Sequence, residues 1–296
     1  MSQSPSPPPA SAATTIARLV RADLMKLSHH WVIAIGYGAM LIVAIPGAVL
    51  FHMGEQLINV TSESGYAFAF SLMVRCLDFS ASILFMMVCL LFSIDIANGA
   101  IKYILTRPVT RMELLLSKYA TAAIMTGLTL AILWLGCLGM GWYYYGLGPL
   151  TENDYVIFEA SAMFRHIAIA TGFLAFSLAA SASMAIAVSS YSSTMGGAII
   201  VGLVLYGFVS SLTVIPATIG FEIAWGGETY YFPWSSLAFT SQLFIPMYLL
   251  DDLPTGIPIE SWWTWDVVRM MLVSGGYGLI FFAIAARAVR KRDFAL

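Results

Sequence analysis

Charge is the scarcest property of this 296-residue sequence: Asp, Glu, Lys and Arg make up 10% of it, against 59% hydrophobic residues and a mean hydropathy of +0.83. An ordinary soluble domain carries roughly 25% charged residues, so a water-soluble core is excluded. Cysteine is nearly absent too. Cys76, Cys89 and Cys137 are odd in number and fall inside apolar runs, which argues against a disulfide framework. The four histidines show no ligand spacing: His29 and His30 are adjacent, while His52 and His166 have no spaced partner. A His-Glu-x-x-His metalloprotease motif is missing, as is the phosphate-binding loop G-x-x-x-x-G-K-[S/T]. The four lysines are followed by Leu27, Tyr103, Tyr119 and Arg292, so none completes that loop. The chain is therefore expected to bind no cofactor and no metal, and to hydrolyse no ATP itself. The first residues also lack the basic stretch that precedes the apolar part of a cleaved signal peptide, so none is expected.

What the sequence has in abundance is long apolar runs. A helix needs about 20 apolar residues to cross a hydrocarbon core of about 30 Å. Six segments qualify, at about 31–51, 70–93, 118–141, 166–188, 195–215 and 267–288. The expected fold is an all-α membrane protein with six transmembrane helices. Residues 1–13 are rich in Pro, Ser and Ala and read as a disordered tail. Residues 14–296 then form a single transmembrane domain.

The net charge of −2 conceals an asymmetry. With six spans and an inner N-terminus, every Lys and Arg falls on inner segments except Arg75, Arg165 and Arg269, which lie near outer span ends. Of the acidic residues only Asp23, Asp95, Glu113 and Asp293 fall inside. Short basic loops stay in the cytoplasm, so both termini are expected there, in a multi-pass cell-membrane protein. The outer side carries aromatic clusters around Trp142 and from Trp234 to Trp265, suited to the membrane–water interface.

Four local features add detail. Residues 14–28 place Ile16, Leu19, Val20, Leu24 and Leu27 on one helical face and Arg18, Arg21, Asp23 and Lys26 mostly on the other, an amphipathic elbow lying in the inner interface. Between the second and third spans runs a basic connector. Asn98-Gly99 ends one helix, residues 100–105 form a short one, Pro108 disfavours helix at Arg107, and Thr110 caps the next helix with Glu113 at the third position. The fourth span is rich in Ser and Ala and the fifth in Gly, and the link at 189–194 predicts a close hairpin between them. The apolar run 237–250 is short for a span and contains Pro246, so it is expected to be re-entrant or interfacial.

Together these features resemble the membrane subunits of ABC transporters, specifically the type 2 permease family. The resemblance covers the chain after residue 14 and is strongest in Asp95…Gly99-Ala100-Ile101-Lys102-Tyr103-Ile104-Leu105-Thr106-Arg107-Pro108-Val109-Thr110-Arg111…Lys118, with a basic tail from Arg287 to Arg292. Ala100 stands where the family usually has Thr. The resemblance implies that the connector is a cytoplasmic coupling helix seated on an ATP-binding subunit, with Gly99, Lys102, Arg107, Pro108, Arg111 and Glu113 at the contact. It also implies two copies of that subunit carrying ATP and Mg, a second permease subunit, identical or related, and outward transport by alternating access. Membrane lipid is a further partner, and nucleic acid is not. Arg75 and Asp78 are either a self-neutralising pair or charges facing an outer vestibule. The rival readings are an ATP-independent secondary transporter and a non-transporting scaffold or sensor that binds an ATPase.

Overall fold

The computed structural model describes residues 12–57, 64–101, 109–152, 155–225, 228–251, 253, 259 and 261–292. Eight helices of more than ten residues form the bundle among them: α1 (Ala12–Ser28), α2 (Trp31–Leu57), α3 (Gly65–Ala97), α4 (Arg111–Tyr145), α5 (Ala160–Tyr191), α6 (Met195–Ser211), α7 (Phe239–Asp251) and α8 (Trp265–Lys291). Six of them, all but α1 and α7, are long and apolar enough to cross a membrane. This is an all-α membrane protein with six spans. The helices outrun the apolar cores read from sequence: α4 has 35 residues, a length of roughly 52 Å, well beyond a ~30 Å hydrocarbon core.

α3 is the axle of the bundle, packed by α2, α4, α5, α6 and α7. Its Phe68, Phe70, Phe85 and Phe92 are fully buried. Lipid is as apolar as these side chains, so burying them is not what drives the helices together; close packing and interhelical hydrogen bonds are. At one end α3 and α4 touch backbone to backbone. Gly65 N donates to Gly146 O at 3.1 Å, and a β-carbon on Gly65 would lie 2.6 Å from Gly141 O, so only glycine fits. At the other end α3 stops at Asn98, and Gly99 turns the chain with φ of +65°, a conformation that disfavours other residues.

The hairpin expected between α5 and α6 needs correction. The chain does turn within Ser192–Thr194, and Thr194 caps α6 by accepting from Gly197 N at 3.1 Å. The small-residue face of α5, however, packs mainly on α8 and α3. Ser177 Oγ meets Ser274 Oγ at 3.2 Å, and Ser183 Oγ donates to Gly278 O at 3.0 Å. α6 lies instead on α3, burying Ala198, Gly202, Tyr206 and Val209.

α7 dips into the bundle beside α3, α5 and α8. Tyr277 OH, well inside α8, donates to Leu237 O at 2.8 Å, while Tyr230 stacks on Trp265 at the start of α8 with ring centroids 4.6 Å apart. Seven residues after Tyr230 the chain thus reaches the level of Tyr277, and Trp265 lies roughly 18 Å along α8 from that residue. With 13 residues, α7 is about 20 Å long, too short to cross. It is a re-entrant element.

Two short antiparallel hairpins were not anticipated from sequence. β1 (Leu150–Glu152) pairs with β2 (Tyr155–Phe158), and β3 (Gly220–Trp225) pairs with β4 (Glu228–Pro233). The first lies between α4 and α5 and the second between α6 and α7, on the side of the bundle that also carries exposed Trp142, Tyr143 and Trp263, here termed the aromatic end. The opposite, basic end holds α1 and the α3–α4, α5–α6 and C-terminal junctions.

Candidate coupling face

Four charged side chains from three helices meet at the basic end. Lys118 on α4 is 1% exposed, yet its ammonium donates to Asp23 Oδ1 on α1 at 2.8 Å and to Asp95 Oδ2 on α3. Lys26, one turn after Asp23, donates to Asp95 Oδ1 at 2.8 Å and lies 3.9 Å from Asp23. Phe92 supports the Lys118 ammonium from the side, its ring centroid 5.7 Å away. The four charges sum to zero. Buried charge is tolerated only when paired in this way, and losing one partner of such a set costs about 3–5 kcal/mol. Burial pushes the Asp23 carboxyl above its ordinary value, against the opposing pull of Lys118.

This arrangement corrects two sequence expectations. Asp23 belongs to the buried side of α1, with Leu27, rather than to its polar face. Lys118, read as a basic residue of the connector, is enclosed in the bundle. The apolar face itself is as expected: Leu27 is buried and Ile16, Leu19, Val20 and Leu24 are half-covered, in line with an amphipathic helix that also packs along α4.

Beyond the ionic cluster, two arginines close helix ends in series. Arg111, the first residue of α4, donates through Nη1 to the carbonyl oxygens of Val289 (3.2 Å), Arg290 (2.7 Å) and Arg292 (3.1 Å). Those carbonyls end α8, where unpaired oxygens and the negative end of the helix dipole both favour a cation. Arg292 in turn donates through Nη1 to Ser190 O (2.6 Å) and Ser192 O (3.0 Å), ending α5. α4 is thereby tied to α8, and α8 to α5.

The start of α4 has the expected capping box. Thr110 Oγ1 accepts from Glu113 N at 3.2 Å, and Glu113 Oε2 accepts from Thr110 N at 2.7 Å. Of the residues read from sequence as the ATPase contact, Gly99, Arg111 and Glu113 are thus placed together at this end. Gly99 forms the turn, while Arg111 and Glu113 already serve intrachain caps. Lys102, Arg107 and Pro108 lie outside the described residues, as does the rest of the expected helix 100–105 beyond Ala100 and Ile101. Asp23, Lys26, Asp95 and Lys118 are what the sequence reading missed as a set.

The outer charges behave differently. Arg75 and Asp78 are exposed and form no ion pair with each other or with any other described residue. Arg75 sits over the Phe51 ring on α2, 4.6 Å from its centroid, and Asp78 Oδ1 accepts from Tyr206 OH on α6 at 3.3 Å. The self-neutralising intrachain pair is absent here. Among the described residues no three His, Cys, Asp or Glu side chains gather as metal ligands.

With this geometry in view, the family comparison is decisive. The family model described as "ABC-2 family transporter protein" matches residues 19–210, from the middle of α1 to near the end of α6. The chain belongs to the ABC-2 transporter family and is a permease subunit of an ABC transporter, a membrane component rather than a catalytic one. Family membership carries with it association with an ABC ATP-binding subunit. No curated protein matches the chain.

Proposed function

We propose that this permease subunit is driven by a separate ATPase seated on the connector between α3 and α4, and moves its substrate outward by alternating access. The observation that carries the reading is the convergence on that connector of the Lys118–Asp95–Asp23 cluster and the Arg111 cap. A force applied at residues 98–111 acts directly on α3 and α4, and through side-chain bonds on α1, α8 and, by way of Arg292, α5. A coupling element needs such a linkage, because an ATPase can shift the spans only by binding two of their arrangements unequally.

The basic end faces the cytoplasm, since basic residues concentrate there and resist translocation. ATP and Mg belong to the ATPase subunit, expected in two copies beside two permease subunits in the cell membrane. Lys102, Arg107 and Pro108 complete the contact, with Gly99, Arg111 and Glu113 shaping it. Membrane lipid is a partner at the same level. A cleft of about 370 Å³ lined by Ser190, Tyr191, Arg287, Lys291 and Arg292 suits anionic headgroups.

Reconstitution of the chain with its ATPase in lipid vesicles tests this proposal. ATP turnover that depends on the permease, with ATP-dependent movement of a candidate amphiphile to the outer leaflet or lumen, is the expected result. Movement without ATP would favour a secondary transporter. Turnover indifferent to every transported compound would favour a scaffold or sensor.

A further inference from the structure

Cysteine is scarce in this chain, yet two of its three cysteines meet. Cys76 on α3 and Cys137 on α4 are joined by a hydrogen bond between their thiols. Met73 on α3 completes the group, its Sδ 4.0 Å from Cys137 Sγ. Met73 and Cys76 stand three apart and so share one face of α3, the face packed on α4. All three are buried, Met73 and Cys137 completely. Cys89 stands apart from them, with its Sγ against Gly202 on α6.

The sulfurs lie towards the aromatic end. Met73 is roughly 12 Å along α3 from Gly65, and Cys137 is roughly 12 Å along α4 from Tyr145. That is just inside the point where Gly65 and Gly146 bring the two backbones together. Asp95 is roughly 28 Å from Cys76 along α3, and Lys118 is as far from Cys137 along α4. The sulfur group and the ionic cluster therefore occupy opposite ends of one helix pair.

We propose that Met73, Cys76 and Cys137 bind a single soft monovalent ion, Cu(I). A metal bonded to sulfur at about 2.3 Å in a trigonal plane holds its sulfurs about 4.0 Å apart. The Cys137–Met73 separation already has that value. Thiolate and thioether together select Cu(I) over hard cations, which take oxygen ligands. Zn(II) takes four ligands, and among the described residues no three His, Cys, Asp or Glu side chains gather to supply them. Cysteine ligates as the thiolate, so entry of one Cu(I) releases two protons and transfers no electron. One negative charge remains, spread over three polarisable sulfurs, with the cation Arg75 next to Cys76 in the chain. The bound ion ties α3 to α4 at the aromatic end, as Lys118 ties them at the basic end. No such site was expected from sequence, because Met73 reads as apolar and Cys137 reaches it only through tertiary packing. The inference is independent of how transport is driven.

The test uses the full-length chain, purified in mild detergent, kept reduced without oxygen, loaded with Cu(I) and then challenged with a Cu(I)-specific chelator. Wild type should retain a single Cu(I) per chain. Losing even an outer-shell partner of a metal costs about 10–100-fold in affinity, so Cys76→Ala and Cys137→Ala should each cost at least about 100-fold. Met73→Leu, which conserves volume, should cost about tenfold or more. Cys89→Ala should bind as wild type does. Affinity should also rise about 100-fold per pH unit while both thiols of the free protein are protonated, as release of two protons requires. If the cysteine variants misfold, Met73→Leu and X-ray absorption of the loaded wild type carry the test. The account expects a first shell of sulfur alone, at about 2.3 Å. Nitrogen or oxygen in that shell overturns the proposal, and so does failure of wild type to hold Cu(I) against the chelator. Equal retention by wild type and the Cys76→Ala, Cys137→Ala double variant means an adventitious ion only, and overturns it as well.

Discussion

Lys118 on α4 and Asp23 on α1, far apart in sequence, are joined by a 2.8 Å hydrogen bond inside the bundle, with the lysine 1% exposed. The same ammonium holds Asp95, so one side chain fixes α1 and two spans in a single relationship. In lipid, where burying further apolar surface adds little, a neutralised ionic knot is an effective way to set where helices meet. It lies beside the connector, at the basic end of the bundle.

Lys118→Met should be strongly destabilising, by about 3–5 kcal/mol, because two buried carboxylates are left to the half-exposed Lys26 alone. The triple variant Lys118→Met, Asp23→Asn, Asp95→Asn should recover most of that loss. Thermal unfolding in detergent measures both. If the single and triple variants unfold together, the knot is not what holds α1, α3 and α4.

The two carboxylates should not be equivalent. Asp95 has a short bond to each lysine, whereas Asp23 has one short bond and a contact at 3.9 Å. Asp95→Asn should therefore cost more than Asp23→Asn. Burial raises the pKa of Asp23 above its ordinary 3.8, so the folded protein holds that proton more tightly than the unfolded chain does. The stability linked to that proton is present below pH 3.8 and is lost as pH rises through the raised value. Unfolding temperatures against pH should show Asp23→Asn gaining on wild type as pH climbs out of that window. A wild-type lead that widens with rising pH would contradict it.

Arg111→Ala should free the carbonyls at the end of α8. The expected signature is local: faster amide exchange near residues 288–292, with a loss of about 1–3 kcal/mol. Arg111→Lys should restore only part of it, since an ammonium lacks the fork of a guanidinium. Arg292→Ala should show the same effect at the end of α5, around Ser190 and Ser192.

Thr110→Ala should cost about 1 kcal/mol through loss of the cap on α4, and Glu113→Gln very little, because glutamine can complete the same box. Equal losses in the two variants would mean that the Glu113 charge matters beyond the cap.

Some of this was legible in the sequence. The six spans follow from the length of the apolar runs, and the α4 cap follows from Thr110 and Glu113 standing three apart. The re-entrant α7 follows from an apolar run too short to cross. The ionic knot was not legible as a set, because its pairs join residues that meet only through tertiary packing. A signal was present nonetheless: Asp95 and Lys118 both stand at edges of apolar runs, where an unpaired charge is costly, so each required a partner. Arg111 was read as an outward contact, since its basic character cannot reveal that the end of α8 lies beside it. The β3–β4 hairpin was overlooked although Phe221 and Ile223, then Tyr230 and Phe232, alternate about Gly226-Gly227, a turn signal.

The structure also decides how the central claim is best tested. Substituting Arg111 or Glu113 disturbs caps within the chain, so loss of a partner there would be ambiguous. Lys102→Glu, Arg107→Glu changes the connector and leaves both caps in place. The most direct measurement is the amount of ATP-binding subunit that co-purifies with this double variant, compared with wild type, at matched monodispersity. The account predicts a stable ATPase complex with wild type and at least about a tenfold loss with the variant, as expected for reversed charges at a docking contact. Equal recovery with both chains, or no ATPase with a well-folded wild type, would contradict it.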